Sequence, residues 1–91
     1  MTPESLIRKF FEHPDQITSD DCEVILTGVL EFTLHKNAGS HRVYHKKGNF
    51  PVTVPIPHKS KYVKSIYIQR IVSLLELEGK YFENGKGERA D

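Results

Sequence analysis

The spacing of apolar positions changes along the chain and divides it into elements. Ile7, Phe10 and Phe11 fall at helical spacing. Thr2 is placed to cap that helix, Pro3 suits its first turn, and Glu4 lies near its positive end. Pro14 disfavours helical geometry at His13 and stops it there. Cys22, Ile25, Leu26 and Val29 repeat the i, i+3, i+4, i+7 pattern of a second helix. Thr18 or Ser19 is its cap, with Asp20 and Asp21 in the first turn, where carboxylates are favoured.

The period then drops to two. Phe32 and Leu34 alternate with Thr33 and His35 and predict a first strand, followed by a turn at Asn37-Ala38-Gly39. His41 to Lys46 predicts a second strand, closed by a turn at Lys47-Gly48-Asn49. Phe50, Val52, Val54 and Ile56 alternate with Pro51, Thr53 and Pro55 in a third strand, whose prolines shorten its ends or set it at a sheet edge. Pro57 to Lys64 is a basic loop. Ser65 is expected to cap a last helix with the stripe Ile68, Ile71, Val72 and Leu75, ending at Gly79. The order α-α-β-β-β-α predicts an α+β fold, a three-stranded antiparallel sheet with helices packed on one face, like the small folds that bind double-stranded RNA. Residues 1–79 are expected to form one domain, and the polar, Gly-rich stretch 80–91 a flexible tail.

Strand parity adds a constraint. Arg42, Tyr44 and Lys46 share one face of the second strand, and His41, Val43 and His45 the other. If Val43 packs inward, the two histidines flank it at the rims of that face. Tyr44 is then an exposed stacking surface or a partly buried aromatic, and burial is the commoner fate of such a ring.

Composition narrows the class. With 91 residues, 37% hydrophobic and 27% charged, the chain suits one small folded domain with a thin core. It is too short for doubly wound nucleotide-binding sheets or eight-unit barrels. The longest apolar runs are three residues, against the roughly 20 that cross a bilayer, so no membrane association is expected. Met1-Thr2-Pro3-Glu4 lacks the basic-then-apolar order of a signal peptide. A single cysteine, Cys22, forbids an internal disulfide and fits a reducing cytoplasm. On its apolar stripe it reads as a small core residue.

Charge changes the picture more. From Met1 to Phe32 there are seven acids and two bases, and from Thr33 to Leu75 eight bases and no acid. That basic stretch also holds four of the five histidines, His35, His41, His45 and His58. Such a field attracts polyanions, and phosphate is the favoured partner.

The candidate chemistry lies inside it, in Gly39-Ser40-His41-Arg42-Val43-Tyr44, then Val52-Thr53-Val54-Pro55, then His58-Lys59. An imidazole exchanges protons near neutrality. Gly39 permits close approach of the backbone to a phosphate, and Ser40 offers a hydroxyl and an N–H. Arg42, Lys46 and Lys59 are candidates to neutralise charge on a phosphate under attack. His41 and His45 stand about 13 Å apart on a strand, and no second cysteine or nearby carboxylate completes a ligand set. No metal or other cofactor is expected.

These motifs resemble the HicA toxins, small mRNA-cleaving members of HicAB toxin–antitoxin modules. The resemblance spans roughly Leu26 to Leu77. It implies a cytoplasmic bacterial or archaeal protein, a double-stranded-RNA-binding-domain-like fold, a catalytic histidine at His41, mRNA as substrate and a HicB-like antitoxin as partner. It departs from the family at Glu31, where a glycine usually precedes the aromatic that opens the first strand, so the second helix is expected to close differently. The separate first helix and the tail after Gly79 are also additional. The enzymatic expectation is metal-independent cleavage of single-stranded RNA. His41 takes the ribose 2′-OH proton, and His58, His45 or water protonates the leaving oxygen. The alternative is a non-catalytic RNA-binding module using the same basic face.

Overall fold

The computed structural model describes residues 2–80. The tail expected beyond Lys80 lies outside them.

Helix α1 (Pro3–Glu12) starts as its sequence dictates, with the Thr2 hydroxyl oxygen accepting from the Ser5 N–H at 3.1 Å. It buries Leu6, Ile7 and Phe10. His13 ends it, and Pro14–Gln16 forms a single 3₁₀ turn. Of the two caps left open for α2 (Ser19–Glu23), Thr18 is the one used. Its side chain accepts from the Asp21 N–H while Asp21 accepts from the Thr18 N–H, a reciprocal capping box.

The second helix does not stay α-helical. It passes at Val24 into a π-helical stretch, Val24–Val29, and Leu30 donates to Ile25 O at 2.9 Å. The wider turn accommodates one extra residue, while Ile25 and Leu26 remain buried. The segment closes at Glu31, whose φ of +64° lies in the left-handed region, with Phe32 donating to Leu26 O at 2.7 Å. The expected different closure therefore takes the form of a left-handed turn carried by glutamate. That conformation costs a non-glycine residue about 1 kcal/mol.

Strands β1 (Thr33–Ala38), β2 (His41–His45) and β3 (Val52–Pro55) form an antiparallel meander in the order β1-β2-β3. The β1–β2 turn sits later than expected. Asn37 and Ala38 belong to β1, paired with Arg42 and His41, and the chain reverses at Gly39-Ser40, with Gly39 at φ +60°. A bulge between Leu34 and Lys36 interrupts the pairing. Lys46 falls just past β2, and the third strand is shorter at both ends than its alternation suggested.

Helix α3 (Ser65–Leu77) begins with Lys64 as N-cap and without a side-chain cap, so Ser65 is its first residue rather than its cap. It buries Ile68, Ile71, Leu74 and Leu75, with Val72 only half-buried. Gly79, at φ +67°, stops it, and Lys80 donates to Leu75 O at 2.8 Å. The helices and one face of the sheet share one apolar core, to which the strands contribute Tyr44, Val52 and Val54. No helix among the described residues is long and apolar enough to cross a membrane.

Candidate functional site

The register decides which side of β2 is available. Tyr44 is fully buried, with Val52 opposite it on β3 and Leu34 opposite it on β1, so its face is the one the helices cover. Arg42 and Lys46 follow the same parity. Arg42 Nη1 lies 3.3 Å from Asp20 Oδ1 and 3.1 Å from Glu23 Oε1 of α2. The Tyr44 hydroxyl donates to the same Glu23 oxygen at 3.3 Å. This cluster ties the middle of the sheet to α2, and it raises the Arg42 pKa although burial opposes the charge. Burial is also the main reason the Tyr44 hydroxyl is pushed up to about 12, a shift that Arg42 moderates. Lys46 Nζ bonds Leu30 O at 2.8 Å and Glu78 at 2.8 Å, closing one helix end onto another. It also lies 5.7 Å from the Phe32 ring centroid.

From the sequence, Arg42 and Lys46 are expected beside His41 around a phosphate. The structure does not bring them together. Alternation puts both cations on the covered face and engages them with carboxylates from α2 and from the end of α3. One clue lay in the sequence: the parity they share with Tyr44, a ring that favours burial.

His41, Val43 and His45 occupy the other face, which no described element covers. His41 and His45 are exposed, and Val43 is half-buried at the centre. Lys36 of β1 and Thr53 of β3 stand opposite Val43, both exposed. His35 sits at the bulge, and its ring stacks on that of His45 with centroids 4.1 Å apart and planes 9° from parallel. Alternation sets His35 on the face opposite Leu34, but the bulge at His35 left no sequence signal. Lys36 was legible only as part of the basic stretch.

His41 lies at the end of this face, beside the Gly39-Ser40 turn and opposite Pro55. The Ser40 carbonyl accepts from the Ile56 N–H at 2.6 Å, so the turn and the exit of β3 are held together. The chain leaving β3 there carries His58 and Lys59, both exposed. Gly39, Ser40, His41, His58 and Lys59 therefore share one end of the molecule, while His45 stands four residues down the strand, about 13 Å away. Among the described residues no group of three or more His, Cys, Asp or Glu is arranged to hold a metal ion. Cys22 is buried, and burial, aided by Asp21, pushes its thiol up to about 12, so it is not a nucleophile near neutrality. Comparison of the chain with family models, with curated proteins and with solved structures finds no match.

Proposed function

We propose that the chain is a HicA-like toxin, an endonuclease that cuts single-stranded mRNA without a metal and is held in check by a HicB-like antitoxin. The observation that carries this reading is the position of His41. It is exposed at the end of an uncovered sheet face, beside a tight turn and next to a basic loop. The three-stranded meander with helices on one side supports a double-stranded-RNA-binding-domain-like architecture, whose open face is free to receive RNA.

In this mechanism His41 accepts the proton of a ribose 2′-OH. The freed oxygen attacks the adjacent phosphorus, the bond from phosphorus to the 5′-oxygen breaks, and a 2′,3′-cyclic phosphate remains. The departing 5′-oxygen takes a proton from a second donor. His58 is better situated than His45, because its loop leaves the sheet at the His41 end and the His45 ring is stacked on His35. Lys59 keeps its expected phosphate-neutralising role, and Lys36 joins it in place of Arg42 and Lys46, which are engaged on the covered face. DNA has no 2′-OH, so it is bound and left intact. An antitoxin would act by covering the same face.

The test is incubation of purified protein with single-stranded RNA in EDTA, beside a His41→Ala variant. The native chain is expected to leave cyclic-phosphate ends and the variant to cut at least about 100-fold more slowly. Equal cleavage by both overturns the assignment of His41. Tight, salt-sensitive binding without any product makes the chain an RNA-binding module instead.

A further inference from the structure

Beside the His41 end of the sheet is a cavity of about 360 Å³, formed where the chain passes from β3 to α3. Pro55, Pro57, Tyr62 and Tyr67 form its apolar walls, with Lys59 and Lys64 among the residues that line it and no carboxylate among them. Its floor is fixed rather than adaptable. Val63 is buried and donates its N–H to Ile17 O at 2.8 Å, and the Ser60 hydroxyl accepts from the Tyr62 N–H at 3.1 Å. The Lys61 ammonium lies 5.4 Å from the Tyr62 ring centroid, and Tyr67, 41% exposed, is the more open of the two tyrosines that line the cavity.

We propose that this cavity binds one unstacked base of a single-stranded RNA, with Tyr67 as the stacking surface and Lys59 and Lys64 on the flanking phosphates. Two features of the lining must be matched together. An isolated anion would leave the proline and tyrosine walls wet, and a purely apolar ligand would leave the lysines unmatched. A nucleotide offers a flat aromatic face and an adjacent negative charge, the combination that single-strand binding sites use. The position agrees, because Pro55 of the cavity wall pairs with His41. A base seated here sets its neighbouring phosphate toward that histidine. The preformed loop lowers the ordering cost of binding. This inference rests on the RNA reading of the protein and adds to it a subsite that fixes the register of the strand.

The experiment uses the full chain and a short single-stranded 2′-O-methyl RNA, which cannot be cleaved, with fluorescent 2-aminopurine placed at each position in turn. Anisotropy reads affinity, and quenching reads stacking of that base. One position is expected to be quenched. Tyr67→Ala should abolish the quench and weaken binding roughly tenfold, while Tyr67→Phe keeps both. Lys59→Ala should flatten the dependence of log affinity on log salt by about 0.7, one phosphate contact on a single strand. Lys59→Glu, a rim change that leaves the apolar wall intact, should weaken binding even if Tyr67→Ala folds poorly. No quench at any position, or Tyr67→Ala and Lys59→Glu binding as tightly as the native chain, overturns the subsite. An acidic peptide displacing nothing from the quenched position supports RNA as the occupant, and displacement of the base by that peptide at equal affinity overturns it. Because the strand cannot be cut, the readout is independent of catalysis. A quench without cleavage of ordinary RNA removes the nuclease and keeps the subsite, and cleavage without a quench does the reverse.

Discussion

On the covered face of β2, Arg42 and Tyr44 are held by Asp20 and Glu23, and Lys46 just beyond is held by Glu78 and the Leu30 carbonyl. One residue away along the same strand, His41 and His45 face solvent with Lys36 beside them. Both faces are rich in cationic and titratable groups drawn from one acid-free stretch of sequence. They differ in what the acidic segments on either side of that stretch do to them. Asp20 and Glu23 of α2 neutralise Arg42 and Glu78 at the end of α3 neutralises Lys46 on the covered side, while Lys36 and the histidines of the uncovered side stay exposed. The basic stretch is therefore split by the pleat of the strand, with its cations paired to helix carboxylates on one face and its histidines and Lys36 exposed on the other.

The comparison is tested most severely through Tyr44. Truncation to alanine should cost about 4 kcal/mol, the range for deleting a buried aromatic, because it empties the core and removes a partner of Glu23. Chemical denaturation would show it, and a loss below about 1 kcal/mol would mean that the two faces are not distinct in packing.

Alkaline pH offers a milder probe of the covered side. The Cys22 thiol ordinarily titrates at 9.0 and the Tyr44 hydroxyl at 10.0, and burial pushes each to about 12 in the folded chain. The folded state thus keeps protons that the unfolded chain releases. Their contribution to stability is complete below pH 9 and is lost as pH rises through 12. Melting temperature should fall between pH 9 and 11, and Cys22→Ala should delay the onset of that fall to about pH 10. The smallest effect is a gain. Glu31→Gly relieves about 1 kcal/mol of left-handed backbone strain at φ +64°, of which the freedom of glycine in the unfolded chain takes back roughly half or more, so the net gain in thermal denaturation should be at most about 0.5 kcal/mol. Cleavage, if His41 carries it, should be unchanged.

Much of the fold was legible because its signals are local. The Thr2 and Thr18 caps, the stop at Pro14, the stripes of the three helices and the period-two strands all depend on residues within a few positions of one another. The turn at Gly39-Ser40 was misplaced by two residues because Asn37 and Ala38 suit a turn as well as a strand end, and only pairing with Arg42 and His41 decides between them. The π-helical stretch left no mark in the apolar pattern, since Ile25 and Leu26 are buried in either helix type. The candidate site was half legible. Parity separated His41 from Arg42 on paper, but which face the helices cover is a tertiary fact. The partners of Arg42 lie 19 and 22 residues away on another element. The cavity around Tyr67 was hidden for the same reason, as its walls come from both sides of a loop that has no period.

The division of labour between the faces is tested most directly by measuring RNA cleavage and thermal stability in parallel for His41→Ala and Arg42→Met. His41→Ala should lose two to four orders of magnitude in cleavage while its stability stays within about 0.5 kcal/mol of the native chain. Arg42→Met should lose about 1–2 kcal/mol of stability through its abandoned carboxylates and still cut RNA at close to the native rate wherever it is folded. A folded Arg42→Met protein without activity, or a His41→Ala protein that cuts normally, would contradict the account.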